Sequence, residues 1–149
     1  MQPQVTVVIV TFNSLPYIDE CLRSLEQQSY PALKIVVIDN ASSDGTREFL
    51  RDRLLERAVF NQRNVGFAAA QNQGIRMSKQ GWVLTLNPDV VLAPNFISIL
   101  VEAAESEPSV GTVCGKLLRW QPESSQPCSS TIDSTGIYFR PDLRHLDRG

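Results

Sequence analysis

The sequence predicts an α/β domain, a mostly parallel β-sheet flanked by helices. Three observations carry that prediction. The strand-like segments Val5–Val10, Lys34–Ile38 and Trp82–Leu86 are continuous apolar runs, the pattern of strands covered on both faces. Segments of helical period separate them, so strand and helix alternate along the chain. The chain has 149 residues, 42% of them hydrophobic, which is enough for one sizeable core.

The elements follow in order. Val5–Val10 is β-branched and apolar, a first buried strand. Ser14 is placed to cap a helix whose inward face is Leu15, Ile18, Cys21, Leu22 and Leu25, and Tyr30-Pro31 closes that unit. "KIVVI", residues 34–38, is the second strand. "ASSDGT" then makes a turn, with Ser43 or Asp44 as cap for a helix from Thr46 to Arg57. That helix carries Glu48/Arg51 and Arg53/Glu56 at i,i+3, the pattern of a solvated face. Ala58–Phe60 is a short strand, "NQRNVGF" a loop, Ala68–Ser78 a helix closed by Gly81, and Trp82–Leu86 a further strand. A helix from Pro94 points Phe96, Ile97, Leu100, Val101 and Ala104 inward, and "VGTVCGKLL" is one more strand. "QPESSQPCSS" reads as a loop, and the last residues as strand, turn and strand. The expected division is 1–118 and 119–149.

Composition excludes several function classes. Lys and Arg number 14 against 16 Asp and Glu, a net charge of -2, which argues against nucleic-acid binding by bulk electrostatics. No apolar run approaches the ~18 residues of a membrane span. Cys21, Cys114 and Cys128 lack CxxC or Cys/His spacing and read as reduced thiols of a cytoplasmic protein. His145 is the only histidine, which disfavours a Ser-His-Asp triad or a multi-histidine zinc site. Neither GxGxxG after the first strand nor GxxxxGK[ST] is present.

In a parallel α/β sheet, ligands sit beyond the carboxyl ends of the strands. Four polar segments fall there: Thr11-Phe12-Asn13, Asp39-Asn40, Arg63-Asn64 and Asn87-Pro88-Asp89. Asp39 is either a turn residue or a carboxylate that accepts from a ligand N–H. Arg63 is either a loop residue or a partner for an anion. Asn87-Pro88-Asp89 interrupts an apolar run with a residue that removes a ladder donor and a residue that is costly to bury. Pro88 stiffens the bend and holds Asp89 at the rim. One carboxylate can bind Mg²⁺ or Mn²⁺ there if phosphates and water complete the shell.

"VTVVIVTFNS…YIDECLRSL", "VVIDNASSDGT", "NVGFAAAQNQG" and "LTLNPDVVL", in series from Val5 to Leu118, resemble the inverting family 2 glycosyltransferases. The resemblance implies the Rossmann-like GT-A fold, incomplete at its C-terminal end, and an N-terminal fragment that holds the donor half. It implies transfer from a nucleotide-diphosphate sugar to a saccharide or lipid-linked acceptor at the inner face of the membrane. By the same resemblance Thr11 and Asn13 neighbour base and ribose, Asp39 bonds the base, and Arg63 and Asn64 line the nucleotide. Asn87-Pro88-Asp89 stand at the DXD motif, with Asp89 as ligand for Mn²⁺ or Mg²⁺. Asn87 departs from the motif: an amide still reaches ribose but removes one negative charge. The "NPD", "DSTG" and "DRG" segments resemble the rhamnosyltransferase-like branch, which implies a dTDP-rhamnose donor. The family's general base lies in an acidic motif beyond residue 149; Asp133, Asp142 and Asp147 are not in it. Two other readings stand beside this one: a non-catalytic nucleotide-binding module of the same fold, and a phosphoacceptor receiver domain. The receiver domain is disfavoured by the whole strand–helix unit that precedes "VVIDN".

Overall fold

The computed structural model describes residues 2–54, 58–120, 128–139, 141–142 and 145–148. The apolar runs do become a parallel sheet. Val5–Thr11 (β1), Leu33–Asp39 (β2), Ala58–Phe60 (β3) and Trp82–Leu86 (β4) lie in the order β3-β2-β1-β4 with every pairing parallel. Every residue of β1 is buried, as befits its central place between β2 and β4. β4 differs from the expectation: it is the sheet's edge, and its residues alternate, with Val83 and Thr85 exposed.

Leu15–Glu26 (α1), Thr46–Leu54 (α2) and Phe67–Ile75 (α3) connect the strands. Right-handed crossovers in this strand order put α1 and α2 on one face and α3 on the other. α3 packs closely against β1: a Cβ at Gly74 would stand 2.3 Å from Val8 Cγ1, so only glycine lets the helix approach this far. Val10, Val36, Ile38 and Ala70 form the core beneath it.

Ile18, Cys21, Leu22 and Leu25 are buried on α1 as the spacing predicts; Ser24 is buried beside them without having been expected, and Leu15 is exposed. Arg53 reaches beyond its own helix. It bridges helices, donating to Asp19 Oδ1 at 2.6 Å and to Glu26 Oε1 at 3.1 Å on α1. Arg51 lies over the Phe60 ring at 5.2 Å instead of facing water alone. Glu56, the last predicted turn to Arg57 and the loop at 121–127 lie outside the described residues.

The chain divides into two compact units, residues 1–95 and 96–149. The second holds Phe96–Glu105 (α4), the antiparallel pair Leu117–Trp120 (β5) and Cys128–Ser134 (β6), and the antiparallel pair Ile137–Phe139 (β7) and His145–Asp147 (β8). On α4, Ile97 and Ala104 are buried, while Phe96, Leu100 and Val101 are only partly so. The strand predicted from Val110 begins only at Leu117. Gly111 and Gly115 weaken strand pairing over the stretch between, which forms none. "CSS" belongs to β6 and not to a loop. Among the described residues, no helix is long and apolar enough to cross a membrane. Cys21 and Cys114 are free thiols.

Candidate functional site

The four rim segments converge as predicted, around a cleft of about 420 Å³ beyond the carboxyl ends of β1, β2 and β4. Asn13, Asn40, Asn64 and Asn87 bring amides to its lining, and among the described residues Asp89 is the only charged one there. Phe12, Tyr17 and Phe67 add exposed aromatic surface, each more than half accessible. Amides that read donor and acceptor edges, beside open ring faces, suit a planar heterocycle carrying polar groups.

The backbone of the rim is tightly held. Asn13 takes a left-handed conformation, φ 52°, which asparagine tolerates better than most residues. Its N–H donates to Ser42 Oγ at 3.0 Å and its Oδ1 accepts from Ser43 N–H at 2.9 Å, tying the β1 end to the β2 end. Ala41 between them also has φ 68°. Asn40 is buried and organises the neighbouring loop. Its Nδ2 donates to Asn64 Oδ1 at 2.8 Å, and its Oδ1 accepts from Val65 N–H at 3.0 Å. Asn64 Oδ1 accepts in addition from Gly66 N–H at 2.8 Å.

Ser14 does not cap α1. Its Oγ accepts from Phe12 N–H, and Asp44 takes the cap instead, accepting from Leu15 N–H at 3.0 Å. The other Asp44 oxygen accepts from Thr46 N–H at 3.0 Å and Thr46 Oγ1–H at 2.6 Å, so one carboxylate holds the first turns of two helices. Burial raises the Asp44 carboxyl pKa. The bonds from Thr46 Oγ1 and from the Leu15 and Thr46 N–H groups outweigh it, leaving the carboxyl below its ordinary value. A depressed acid contributes stability above its unfolded pKa of about 3.9 and loses it as pH falls through the lower folded value. Asp44→Ala is therefore expected to cost ~1 kcal/mol near neutral pH. The difference from the parent chain should close in strong acid, checked by urea titration at both conditions.

Thr11 and Asp39 do not line the cleft. The parallel register pairs them directly, and both are fully buried. Thr11 Oγ1 donates to Asp39 Oδ1 at 3.1 Å, while Arg47 Nε and Ser42 N–H donate to Oδ2 at 3.2 and 3.3 Å. Arg47 also donates to the Asn61 carbonyl and lies over the Phe60 ring at 5.5 Å. Asp39 therefore supports the rim from behind in this structure. Arg63 is exposed and also outside the lining. Sequence reasoning missed Arg47, which sits eight residues after Asp39 in the first turn of α2, and it missed Tyr17 and Phe67; Phe12 and Asn40 it placed on the rim without a role of their own. Phe12 had a signal: a large ring directly after a buried strand.

Asn87 and Asp89 are exposed at the cleft, and Val90 N–H donates to the Asn87 carbonyl at 3.3 Å to close the bend around Pro88. Beneath them lies Cys21, whose thiol donates to the Asn87 carbonyl at 3.7 Å. Burial, and then the Asp89 carboxylate, push the Cys21 thiol up to about 12. Among the described residues, no three His, Cys, Asp or Glu side chains gather to hold a metal. Asp89 could hold one only with oxygens brought by a ligand. A carboxylate, the Asn87 amide oxygen and phosphate oxygens make a hard set that fits Mg²⁺ or Mn²⁺.

Comparison with known proteins adds a family. The description "Glycosyl transferase family 2" matches residues 6–129. An uncharacterized glycosyltransferase of Haemophilus influenzae is 28% identical over 149 residues, which is 97% of this chain and 46% of the relative. An N-acetylglucosaminyl-diphospho-decaprenol L-rhamnosyltransferase of Mycobacterium tuberculosis is 29% identical over 140 residues, 86% of this chain and 45% of its own. Among solved structures, a mannosyltransferase from Pyrobaculum calidifontis in complex with GDP-Man and Mn²⁺ superposes with a TM-score of 0.63 at 30% identity. That match covers 74% of this chain and 34% of the other. The chain spans less than half the length of these relatives.

Proposed function

Because the chain belongs to glycosyl transferase family 2, we propose that it carries the donor-binding half of a glycosyltransferase. The whole protein would transfer a sugar, with inversion, from a nucleotide-diphosphate donor to a saccharide or lipid-linked acceptor. The observation that carries the reading is the cleft itself: amides, open aromatic faces and one carboxylate at the carboxyl ends of a parallel sheet. In this reading the aromatics and amides take base and ribose, with Asn13, Asn64 and Asn87 in contact. Asp39 and Thr11 fix the rim behind them, and Arg63 meets the ligand only if its loop turns inward. Among the described residues, no lysine or arginine lines the cleft. The diphosphate's charge would therefore fall to a divalent cation held by Asp89, which supplies charge neutralisation on the leaving group. The mannosyltransferase with Mn²⁺ and GDP-Man supports the metal and the donor class. The L-rhamnosyltransferase relative supports rhamnose as the sugar of the donor, which the reading takes to be dTDP-rhamnose.

A thermal-shift panel of dTDP, UDP, GDP and ADP, each with Mn²⁺, Mg²⁺ or EDTA, tests this. A ligand at ~100 times its dissociation constant stabilises by about 2.7 kcal/mol. A metal-dependent shift for one nucleotide is the expected result and names the base; a folded chain that responds to none of them overturns the reading.

A further inference from the structure

Between Asn87 and Pro94 the chain has neither strand nor helix, yet it is fastened along α1 and the residues just after it. The Cys21 thiol donates to the Asn87 carbonyl at 3.7 Å. Ser24 Oγ accepts from Leu92 N–H at 3.1 Å. Gln28 Nε2 donates to the Ala93 carbonyl at 2.8 Å, and Ser29 N–H to the Pro94 carbonyl at 2.8 Å. Cys21 and Ser24, at i and i+3, form one stripe of α1, and Gln28 continues it just past the helix end. Ser24 is buried and its hydroxyl proton is committed to the Cys21 carbonyl at 2.7 Å. That bond turns a lone pair toward Leu92 N–H, an oriented acceptor in a site with little room for water. Leu92 is itself buried. Asp89 is thus carried on a short arc pinned at Asn87 and again at Leu92.

We infer that Ser24, supported by Cys21 and Gln28, is a positioning residue for Asp89, setting where that carboxylate meets the phosphates and cation of a donor. The inference rests on the reading of the cleft as a donor site. None of the three residues touches the ligand; each acts through the backbone of the arc. Residues that orient a metal ligand in this way typically change metal affinity by 10- to 100-fold when altered.

The test uses the 149-residue chain with Ser24→Ala and Gln28→Ala, and with Ile18→Val as a core change on α1 that leaves the stripe intact. Amide hydrogen exchange at Leu92 is read without ligand. Mn²⁺ affinity is read by electron paramagnetic resonance with saturating nucleoside diphosphate, and nucleotide binding is read separately in EDTA. Ser24→Ala should speed Leu92 exchange and weaken Mn²⁺ binding by ~10-fold, leaving binding in EDTA unchanged. Gln28→Ala should do so less, and Ile18→Val not at all. Faster exchange with unaltered Mn²⁺ affinity overturns the inference, as does unaltered exchange. If Ser24→Ala fails to fold, Gln28→Ala, at a half-buried position, carries the same comparison. A parent chain that binds no nucleotide defeats the donor-site reading and this inference with it; Leu92 exchange then still reports whether the fastening exists.

Discussion

Asp39→Ala is expected to destabilise the chain by ~3 kcal/mol, the low end for breaking a buried ion pair by removing one partner. The low end applies because Arg47 keeps 19% of its side-chain surface exposed while Asp39 keeps none. The change strips the acceptor from Thr11 Oγ1, from Arg47 Nε and from Ser42 N–H together. For a domain whose whole stability is about 5–15 kcal/mol, that is a large share. Urea unfolding near neutral pH measures it. Nucleotide binding should weaken in parallel, because Ser42 and Arg47 hold the rim that Asn13 and Asn40 present. A variant of parental stability that has lost only nucleotide binding would instead put Asp39 in direct contact with the base.

Asp89→Ala should behave in the opposite way. Asp89 is exposed, and surface changes of this kind usually stay within ~0.5 kcal/mol in stability. The expected loss is functional: the shift in EDTA is retained, and the added shift from Mn²⁺ or Mg²⁺ disappears. At saturating donor that increment is of the order of 1–3 kcal/mol. Persistence of the metal increment in the variant would remove Asp89 from the metal site. The two substitutions therefore separate a carboxylate that supports the rim from one that serves the ligand, although one ends a strand and the other lies just past the end of another in the same sheet.

What could be read from the sequence follows physical range. β1 and β2 were legible because burial on two faces leaves a nearly continuous apolar run, a local signal, and the ends of β4 because its run is largely apolar although one face is exposed. The edge character of β4 was not, since it depends on strand order. The cap of α1 was misassigned to Ser14 because the real acceptor, Asp44, arrives from thirty residues away. The ion pairs of Arg53 with Asp19 and Glu26 were not legible, since both partners come from α1. In the cleft, residue types at strand ends located the site but not the direction each side chain takes. Thr11 and Asp39 satisfy one another through the register of β1 and β2, and Asn40, one residue on, faces the cleft. Tyr17 and Phe67 were passed over because aromatic rings are read first as core.

The thiol beneath the Asn-Pro-Asp bend has a use beyond packing. With its pKa pushed up to about 12 and no surface accessible, Cys21 is inert while the bend is seated. A disulfide reagent can capture it only in molecules whose bend has momentarily lifted, whereas the exposed Cys114 is open to reaction throughout. With the peptide that carries Cys21 followed apart from those of Cys114 and Cys128, its labelling is then a clock for local opening, and its rate relative to an unfolded thiol is an equilibrium constant for that event. The native chain thus contains its own chemical probe of how often the Asp89 segment leaves its seat.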